Sequence, residues 1–130
     1  MTHIPSSRKI LICDDEEGIR ESLKLILSDD YDLIVVDSST QCVDVLKQDK
    51  SIAILLLDIK MPKMHGLEVV KEVQKVRPDV KIIMVTGYRS VETAAESIKL
   101  GAVDYIVKPF KSDEILNSVK KFFPGEKKKK

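Results

Sequence analysis

The stretch IAILLLD, residues 52–58, decides the fold, because six apolar residues follow one another without polar alternation and lead into an acid. Such a run is typical of a strand that is covered on both faces, as in a parallel sheet. Four more short apolar runs, rich in β-branched residues, lie at residues 9–13, 33–36, 81–85 and 105–107. Together the five runs predict five strands of one parallel sheet.

Segments with helical spacing follow each of these runs, and the second helix, over about residues 39–48, has the weakest pattern. The apolar positions that mark the five helices are, in chain order, Ile19, Leu23, Ile26 and Leu27; Cys42, Val43 and Leu46; Leu67, Val70, Val73 and Val76; Val91, Ala94, Ala95 and Ile98; and Ile115, Leu116, Val119, Phe122 and Phe123. Pro78 is expected to end the third helix after Arg77, and Gly101 to cap the fourth. Ser112 is expected to N-cap the fifth helix.

The alternation of strands and helices predicts an α/β fold, a doubly wound sandwich with helices on both faces of a five-stranded parallel sheet. Right-handed crossovers leave few topologies, and the leading one has the strand order 2-1-3-4-5. The chain has 130 residues and 14.7 kDa, which is the length of one domain. We expect this domain to span residues 1–124, with residues 125–130 as a disordered, lysine-rich tail.

Composition narrows the function classes. The net charge is +1, but without the four lysines at 127–130 the balance is 18 basic against 21 acidic residues, which gives no electrostatic reason to bind nucleic acid. No apolar run is long enough to span a bilayer, and the N-terminus has no secretory signal, so we expect a cytoplasmic protein without a membrane partner. Cys13 and Cys42 lack metal or redox spacing and are interpreted as buried apolar residues, and His3 and His65 as surface residues.

Polar residues follow each predicted strand. They are Asp14-Asp15-Glu16, Asp37, Asp58, Thr86-Gly87 and Lys108-Pro109. The carboxyl ends of parallel strands lie on one edge of the sheet, and ligands bind where the strand order reverses. In the predicted order strands 1 and 3 are neighbours there, so Asp14, Asp15 and Asp58 would converge, flanked by Thr86 and Lys108. Asp37 follows an edge strand and is expected to lie outside this group.

Three carboxylates in one small cleft repel one another, so one must hold a proton or a cation must neutralise them. Mg²⁺ suits this set because every available ligand is oxygen. The Lys108 ammonium suits an anion, and Thr86 offers a hydroxyl, so the set is typical of phosphoryl transfer. Asp58 is the best candidate for the nucleophile, which would become an acyl phosphate, and Asp14 and Asp15 are better suited to hold the metal.

With these motifs, the sequence resembles the receiver domains of two-component response regulators, over nearly all of residues 9–123. The matching motifs are Asp14-Asp15, LLLDIKMPKMHG around Asp58, Thr86-Gly87, and DYIVKPF with Lys108. The resemblance implies a switch that accepts phosphate on Asp58 from a sensor histidine kinase or a histidine phosphotransferase, and that catalyses its own phosphorylation and dephosphorylation.

The resemblance also implies roles for individual residues. Asp14, Asp15, Asp58 and the backbone carbonyl of Lys60 would coordinate Mg²⁺, or Mn²⁺. Lys108 would contact the phosphoryl group, and its peptide bond to Pro109 would be cis. Thr86 would bind the transferred group, and Tyr105 would be the switch aromatic, although a half-buried core tyrosine is the simpler alternative. Lys60 and Tyr88 would tune the lifetime of the acyl phosphate, or would be plain solvated side chains.

Output would run through the face formed by strand 4, helix 4, strand 5 and helix 5, by binding a downstream protein or by self-association. The pair Lys60 and Tyr88 and the ending EILNSVKKFFP look like single-domain regulators of the sporulation phosphorelay kind. TGYRSVETAAESIKLGAVDYIVKPF instead looks like receivers that are fused to ATPase transcription activators.

Two other functions stay open at the level of sequence. One is a phosphohydrolase with an aspartate nucleophile, although such enzymes need a DxD arrangement and this chain has Asp14-Asp15-Glu16 without a cap insertion. The other is an interaction module that works without phosphorylation. A dinucleotide-binding site is disfavoured because no G-x-G-x-x-G follows the first strand.

Overall fold

The structure, a computed structural model, describes residues 8–60 and 65–123. Strands and helices alternate along the chain. Their bounds are β1 Lys9–Cys13, α1 Glu17–Leu27, β2 Asp32–Val36, α2 Ser39–Gln48, β3 Ile52–Leu57, α3 Gly66–Val76, β4 Lys81–Thr86, α4 Val91–Leu100, β5 Asp104–Val107 and α5 Ser112–Phe122. The five strands form one parallel sheet in the order β2-β1-β3-β4-β5, which confirms the predicted fold and strand order.

Alternate residues of the strands serve two cores, one on each face of the sheet. On one face Leu11 and Cys13 pack with apolar residues of α2 and α3. On the other face Ile10 and Ile12 pack with residues of α1 and α5. All six residues of β3 are buried, as the unbroken apolar run predicted. Cys13 and Cys42 are both buried in the first core, which confirms their interpretation as apolar residues.

The ends of the helices follow the predictions with one correction. Gly101 caps α4 with a φ of 128°, a conformation that glycine adopts without strain, and Arg77 caps α3 directly before Pro78. The prediction that Ser112 caps α5 is wrong, because Ser112 is already the first residue of the helix. The N-cap is Lys111, whose extended backbone presents its N–H to the Glu114 carboxylate at 2.8 Å.

Helix α4 departs from its apolar spacing. Val91 is 81% exposed and Ile98 is 47% exposed, whereas Ser97 is the buried residue of this helix. The hydroxyl of Ser97 donates to the carbonyl of Ala94, so a small polar residue can face inward without an unpaired group. The apolar positions that marked α4 in the sequence therefore lie partly on its outer surface.

None of the helices formed by the described residues has the length and apolar character needed to cross a bilayer. Position 124, at the predicted end of the domain, the tail at 125–130 and His3 lie outside the described residues.

Candidate functional site

The acids of the site meet because β1 and β3 are in register up to their last residues. Cys13 is level with Leu57, and the next N–H, that of Asp58, donates to the Cys13 carbonyl at 3.1 Å. The ladder therefore carries Asp14 and Asp58 side by side beyond the strands. One carboxylate oxygen each from Asp14, Asp15 and Asp58 lies within 4.8 Å of the other two. Asp14 and Asp58 are buried, whereas Asp15 is exposed.

Lys108 is the cation of this group. The N–H of Lys108 donates to the carbonyl of Thr86 at 2.8 Å, and its peptide bond to Pro109 is cis, as the resemblance implied. Its side chain is 13% exposed, and its Nζ lies 3.0 Å from Asp14 Oδ2, 3.0 Å from Glu16 Oε1 and 3.2 Å from Asp58 Oδ2. Burial alone would lower the pKa of Lys108, but the carboxylates of Glu16, Asp14 and Asp58 outweigh it and raise that pKa above its usual value.

Lys108 compensates the negative charge of the buried Asp14 carboxylate only in part. Its Oδ1 accepts from the N–H of Glu16 at 2.9 Å, whereas its buried Oδ2 has no hydrogen-bond donor, since Lys108 reaches it as an ion pair without hydrogen-bond geometry. Burial, and to a lesser degree the charge of Asp58, raises the pKa of Asp14 despite its contacts with Glu16 and Lys108. A buried carboxylate oxygen without a donor, beside two more carboxylates, fits a hard divalent cation.

Thr86 and Tyr105 are linked through the backbone of Tyr88. Thr86 is the buried last residue of β4, and its Oγ1 accepts from the N–H of Tyr88 at 3.3 Å. The Tyr105 hydroxyl donates to the carbonyl of Tyr88 at 3.0 Å. Tyr105 is half-buried, and burial, followed by the charge of Asp58, raises its pKa. The backbone of Tyr88 therefore contacts both Thr86 and Tyr105.

A cavity of about 840 Å³ opens over these groups. It is lined by Asp15, Glu16, Asp58, Lys60, Thr86, Gly87, Tyr88 and Lys108. Lys60 is exposed, and its N–H donates to Asp58 Oδ1 at 3.3 Å. The structure thus brings together the residues expected at the site, namely Asp14, Asp15, Asp58, Lys60, Thr86, Tyr88 and Lys108, with Tyr105 one contact away.

Asp37 lies outside this group, as expected. The register would carry it level with Asp14, because Val36 is level with Cys13. The N–H of Asp37 instead meets Gln41 Oε1 at 3.4 Å as the chain turns into α2, and Asp37 neither lines the cavity nor belongs to the acidic group.

Sequence reasoning missed two contacts of the site. Glu16 was interpreted only as part of an acidic strand end, yet its carboxylate contacts Lys108. His65 is exposed, as expected, but its Nδ1 also accepts from the N–H of Leu67 and so caps α3. Its ring meets the ring of Tyr88 edge-on, with 6.4 Å between the centroids. The place of Glu16 directly after the acid pair was a usable signal for the first contact.

Comparison with known proteins agrees with this geometry. The family model of the response regulator receiver domain matches residues 10–120, and the chain belongs to this family of two-component signalling domains. Sporulation initiation phosphotransferase F of Bacillus subtilis (strain 168) is 34% identical over 119 residues, which cover 91% of this chain and 95% of that protein. A putative NtrX-like response regulator of Rickettsia bellii (strain RML369-C) is 36% identical over 115 residues, but the match covers only 24% of that longer protein.

Solved structures show the same architecture. The crystal structure of a CheY-like response regulator receiver domain protein from Methanospirillum hungatei JF-1 has a TM-score of 0.85 and 33% identity, and the match covers 92% of this chain and 95% of that one. The receiver domain of NtrX from Brucella abortus has a TM-score of 0.82 and 29% identity, with 89% of this chain and 98% of that chain covered.

Proposed function

We propose that this receiver domain is a phosphorylatable switch, in which Asp58 accepts a phosphoryl group from the phosphohistidine of a sensor histidine kinase or a histidine phosphotransferase. The observation that carries the proposal is the contact of the Lys108 ammonium with Asp58 and Asp14, since Lys108 and Asp58 both line an open cavity. A buried carboxylate that is accessible from a cavity and lies beside a cation has the placement of a nucleophile toward an anionic donor.

The transfer needs no reagent besides the phosphohistidine donor and Asp58. A carboxylate oxygen of Asp58 forms a bond to phosphorus as the bond from phosphorus to the imidazole nitrogen of the donor breaks, and the imidazole keeps that electron pair. Lys108 supplies positive charge to the transferring group. Water that attacks the acyl phosphate would return Asp58 and release phosphate, so that the domain would catalyse both its own phosphorylation and its own dephosphorylation.

Asp14, Asp15 and Asp58 are the residues that would hold Mg²⁺ or Mn²⁺, with the backbone carbonyl of Lys60 as a further ligand. The metal would neutralise the carboxylates and bind oxygens of the phosphoryl group. Support comes from the donor set, which is all oxygen, and from Asp14 Oδ2, which is buried without a hydrogen-bond donor.

The output would begin at Thr86. A phosphoryl group adds about −1.5 to −2 charges, and the Thr86 hydroxyl is placed to bind it. Thr86 would then give up the hydrogen bond that it accepts from the Tyr88 N–H. Because the carbonyl of Tyr88 accepts from the Tyr105 hydroxyl, the change would reach Tyr105 on β5. The surface formed by β4, α4, β5 and α5 carries the exposed Val91 and Ile98, and it would bind a downstream protein or a second copy of the chain.

Lys60 and Tyr88 are proposed to set the lifetime of the acyl phosphate, because both line the cavity through which water must approach Asp58. If they shield the acyl phosphate, Lys60→Ala and Tyr88→Ala shorten its lifetime, whereas unchanged lifetimes would contradict the role. A shielded acyl phosphate suits a relay step, and the name of the relative from B. subtilis, a phosphotransferase, supports that setting. The longer NtrX-like relatives leave a fused receiver as the alternative.

The test compares labelling of the parent chain, Asp58→Asn and Asp37→Asn, with acetyl phosphate and with a panel of autophosphorylated histidine kinases. Asp37→Asn removes the same charge from another strand end, outside the cavity. We expect the parent and Asp37→Asn to be labelled in Mg²⁺, and labelling to stop in excess chelator and in Asp58→Asn. Labelling that persists in Asp58→Asn would move the nucleophile elsewhere and favour a phosphohydrolase, and persistence in chelator would contradict the metal site.

A further inference from the structure

Glu16 is an acid of the cavity to which the proposed chemistry gives no role. It is the N-cap residue of α1, directly after Asp14 and Asp15, and its side chain makes no capping hydrogen bond. The side chain is 61% exposed, yet its Oε1 lies 3.0 Å from Nζ of Lys108, a residue 92 positions further along the chain. Glu16 therefore directs its exposed carboxylate to the half-buried ammonium of Lys108 instead of to water or to its own helix.

The ammonium of Lys108 is shared by three carboxylates. Its Nζ donates hydrogen bonds to Glu16 Oε1 and Asp58 Oδ2, and it forms an ion pair with Asp14 Oδ2, all within 3.2 Å. A phosphoryl group bound to Asp58 would bring new anionic oxygens to this ammonium, and they would compete with these carboxylates for it.

The three carboxylates differ in what their release costs. The side chains of Asp14 and Asp58 are only 2% and 6% exposed, so either of them would lose its cation while still buried. The Glu16 side chain can rotate into water and recover its hydration there, because exposed ion pairs contribute little. Glu16 is therefore the partner that Lys108 can exchange at the lowest cost.

We propose that Glu16 is a positioning residue that holds Lys108 in the unphosphorylated protein and competes with the incoming phosphoryl group for its ammonium. This inference rests on the proposed phosphorylation of Asp58. The carboxylate of Glu16 also lies at the wall of the cavity, where its negative charge opposes an anionic donor. Both effects make Glu16 slow phosphorylation, the first by occupying Lys108 and the second by repelling the donor, and neither needs contact with the phosphorus.

The test compares Glu16→Gln with Glu17→Gln. Glu17 is the next residue, exposed in the first turn of α1, and does not line the cavity, so this control loses the same charge from the same helix end. With acetyl phosphate in Mg²⁺, we expect Glu16→Gln to raise kcat/KM for phosphorylation about three- to fivefold, mainly through a lower KM. Glu17→Gln should match the parent.

A second readout needs neither metal nor phosphate. Lys108 in the metal-free protein is labelled with acetic anhydride and quantified at peptide level by mass spectrometry. Loss of the Glu16 charge should make Lys108 react about two- to threefold faster in Glu16→Gln than in Glu17→Gln. Equal rates in both variants, for labelling of Lys108 and for phosphorylation, would overturn the inference. If the parent itself takes no phosphate, the proposed function fails, and the labelling of Lys108 still reports whether Glu16 holds it.

Discussion

At the scale of single residues, the buried carboxyl group of Asp14 lowers stability when it is ionised. Its pKa is raised chiefly by burial, so the folded state resists ionisation of this carboxyl group more than the unfolded state does. The penalty is absent at acidic pH, where both states are protonated, and it grows as the pH rises through the unfolded pKa. At neutral pH, without a metal, ionised Asp14 therefore lowers the free energy of unfolding.

Removing this charge should stabilise the metal-free protein. In chelator at pH 7, we expect Asp14→Asn to raise the free energy of unfolding, with a difference that disappears near pH 3. The exposed Asp15→Asn is the control and should change it little. Urea unfolding measures both, with and without Mg²⁺, and Asp14→Asn should also lose most of the stabilisation that Mg²⁺ gives the parent. Destabilisation by Asp14→Asn in chelator would contradict this account.

Most of the candidate site could be predicted at this scale, because strand ends fix where residues lie. Asp14, Asp58, Thr86 and Lys108 each follow or end a strand, and a parallel sheet delivers all strand ends to one edge. The sequence placed Glu16 beside the acid pair, but it did not show that its carboxylate contacts Lys108, since an exposed side chain with several rotatable bonds is not directed by the backbone.

At the scale of elements, helix α3 packs against the segment that follows Asp58. Gly66, its first residue, donates its N–H to the carbonyl of Ile59 at 2.7 Å. A Cβ at Gly66 would clash with the Cα of Ile59 and lie 2.6 Å from the carbonyl oxygen of Asp58, where backbone leaves no room. The start of α3 therefore holds the backbone of Asp58 by close contact, and this contact requires glycine at position 66.

Gly66→Ala should consequently disturb both folding and chemistry. We expect it to lower the free energy of unfolding by about 2 kcal/mol or more, and to slow phosphorylation by acetyl phosphate in the folded fraction, because Asp58 must move. Gly18→Ala is the matched control, since a Cβ there meets nothing within 4 Å and alanine favours the helix α1. It should leave stability unchanged or raise it by up to about 1 kcal/mol. Equal effects of the two substitutions would refute the packing argument.

Strands and helices could be predicted from the sequence where a single pattern of apolar residues dominated the segment. The buried runs predicted β1 and β3 at their observed bounds, because each is too apolar to be anything but covered. Local capping was harder to predict. Ser112 has the side chain of an N-cap, but the Glu114 carboxylate meets the N–H of Lys111 and places the helix start one residue earlier. The outward Val91 and Ile98 of α4 likewise needed the structure, because periodicity marks a face without saying what it contacts.

At the scale of the whole molecule, one edge of the sheet carries the candidate site, and contacts at the opposite edge stabilise the fold. Arg77, after α3, is buried at the opposite edge and donates to the carbonyls of Leu46 at 2.9 Å and Ile52 at 2.8 Å, and also to those of Asp49 and Lys50. It thereby joins the end of α2, the start of β3 and the end of α3. Because β3 separates Ile52 from Asp58 by about 20 Å, Arg77 supports the fold without touching the chemistry.

Arg77→Met should therefore destabilise the fold without changing the site. We expect a loss of about 3 kcal/mol in the free energy of unfolding, since several buried carbonyls lose their donor. Asp79→Asn breaks only the ion pair of Arg77 with a carboxylate that is 67% exposed, and should cost less than about 1 kcal/mol. Urea unfolding measures both, and at low temperature the folded fraction of each should be phosphorylated like the parent. Similar stability losses in both variants would show that the carbonyl contacts of Arg77 are unimportant.

The central claim, that Asp58 receives the phosphoryl group, is tested most directly by locating the modified residue. The chain is phosphorylated with acetyl phosphate in Mg²⁺ and then reduced with borohydride, which converts an aspartyl phosphate to homoserine, and its peptides are sequenced by mass spectrometry. The account predicts homoserine at position 58 and aspartate at positions 14, 15 and 37. Homoserine at one of those other positions, with aspartate retained at 58, would contradict it.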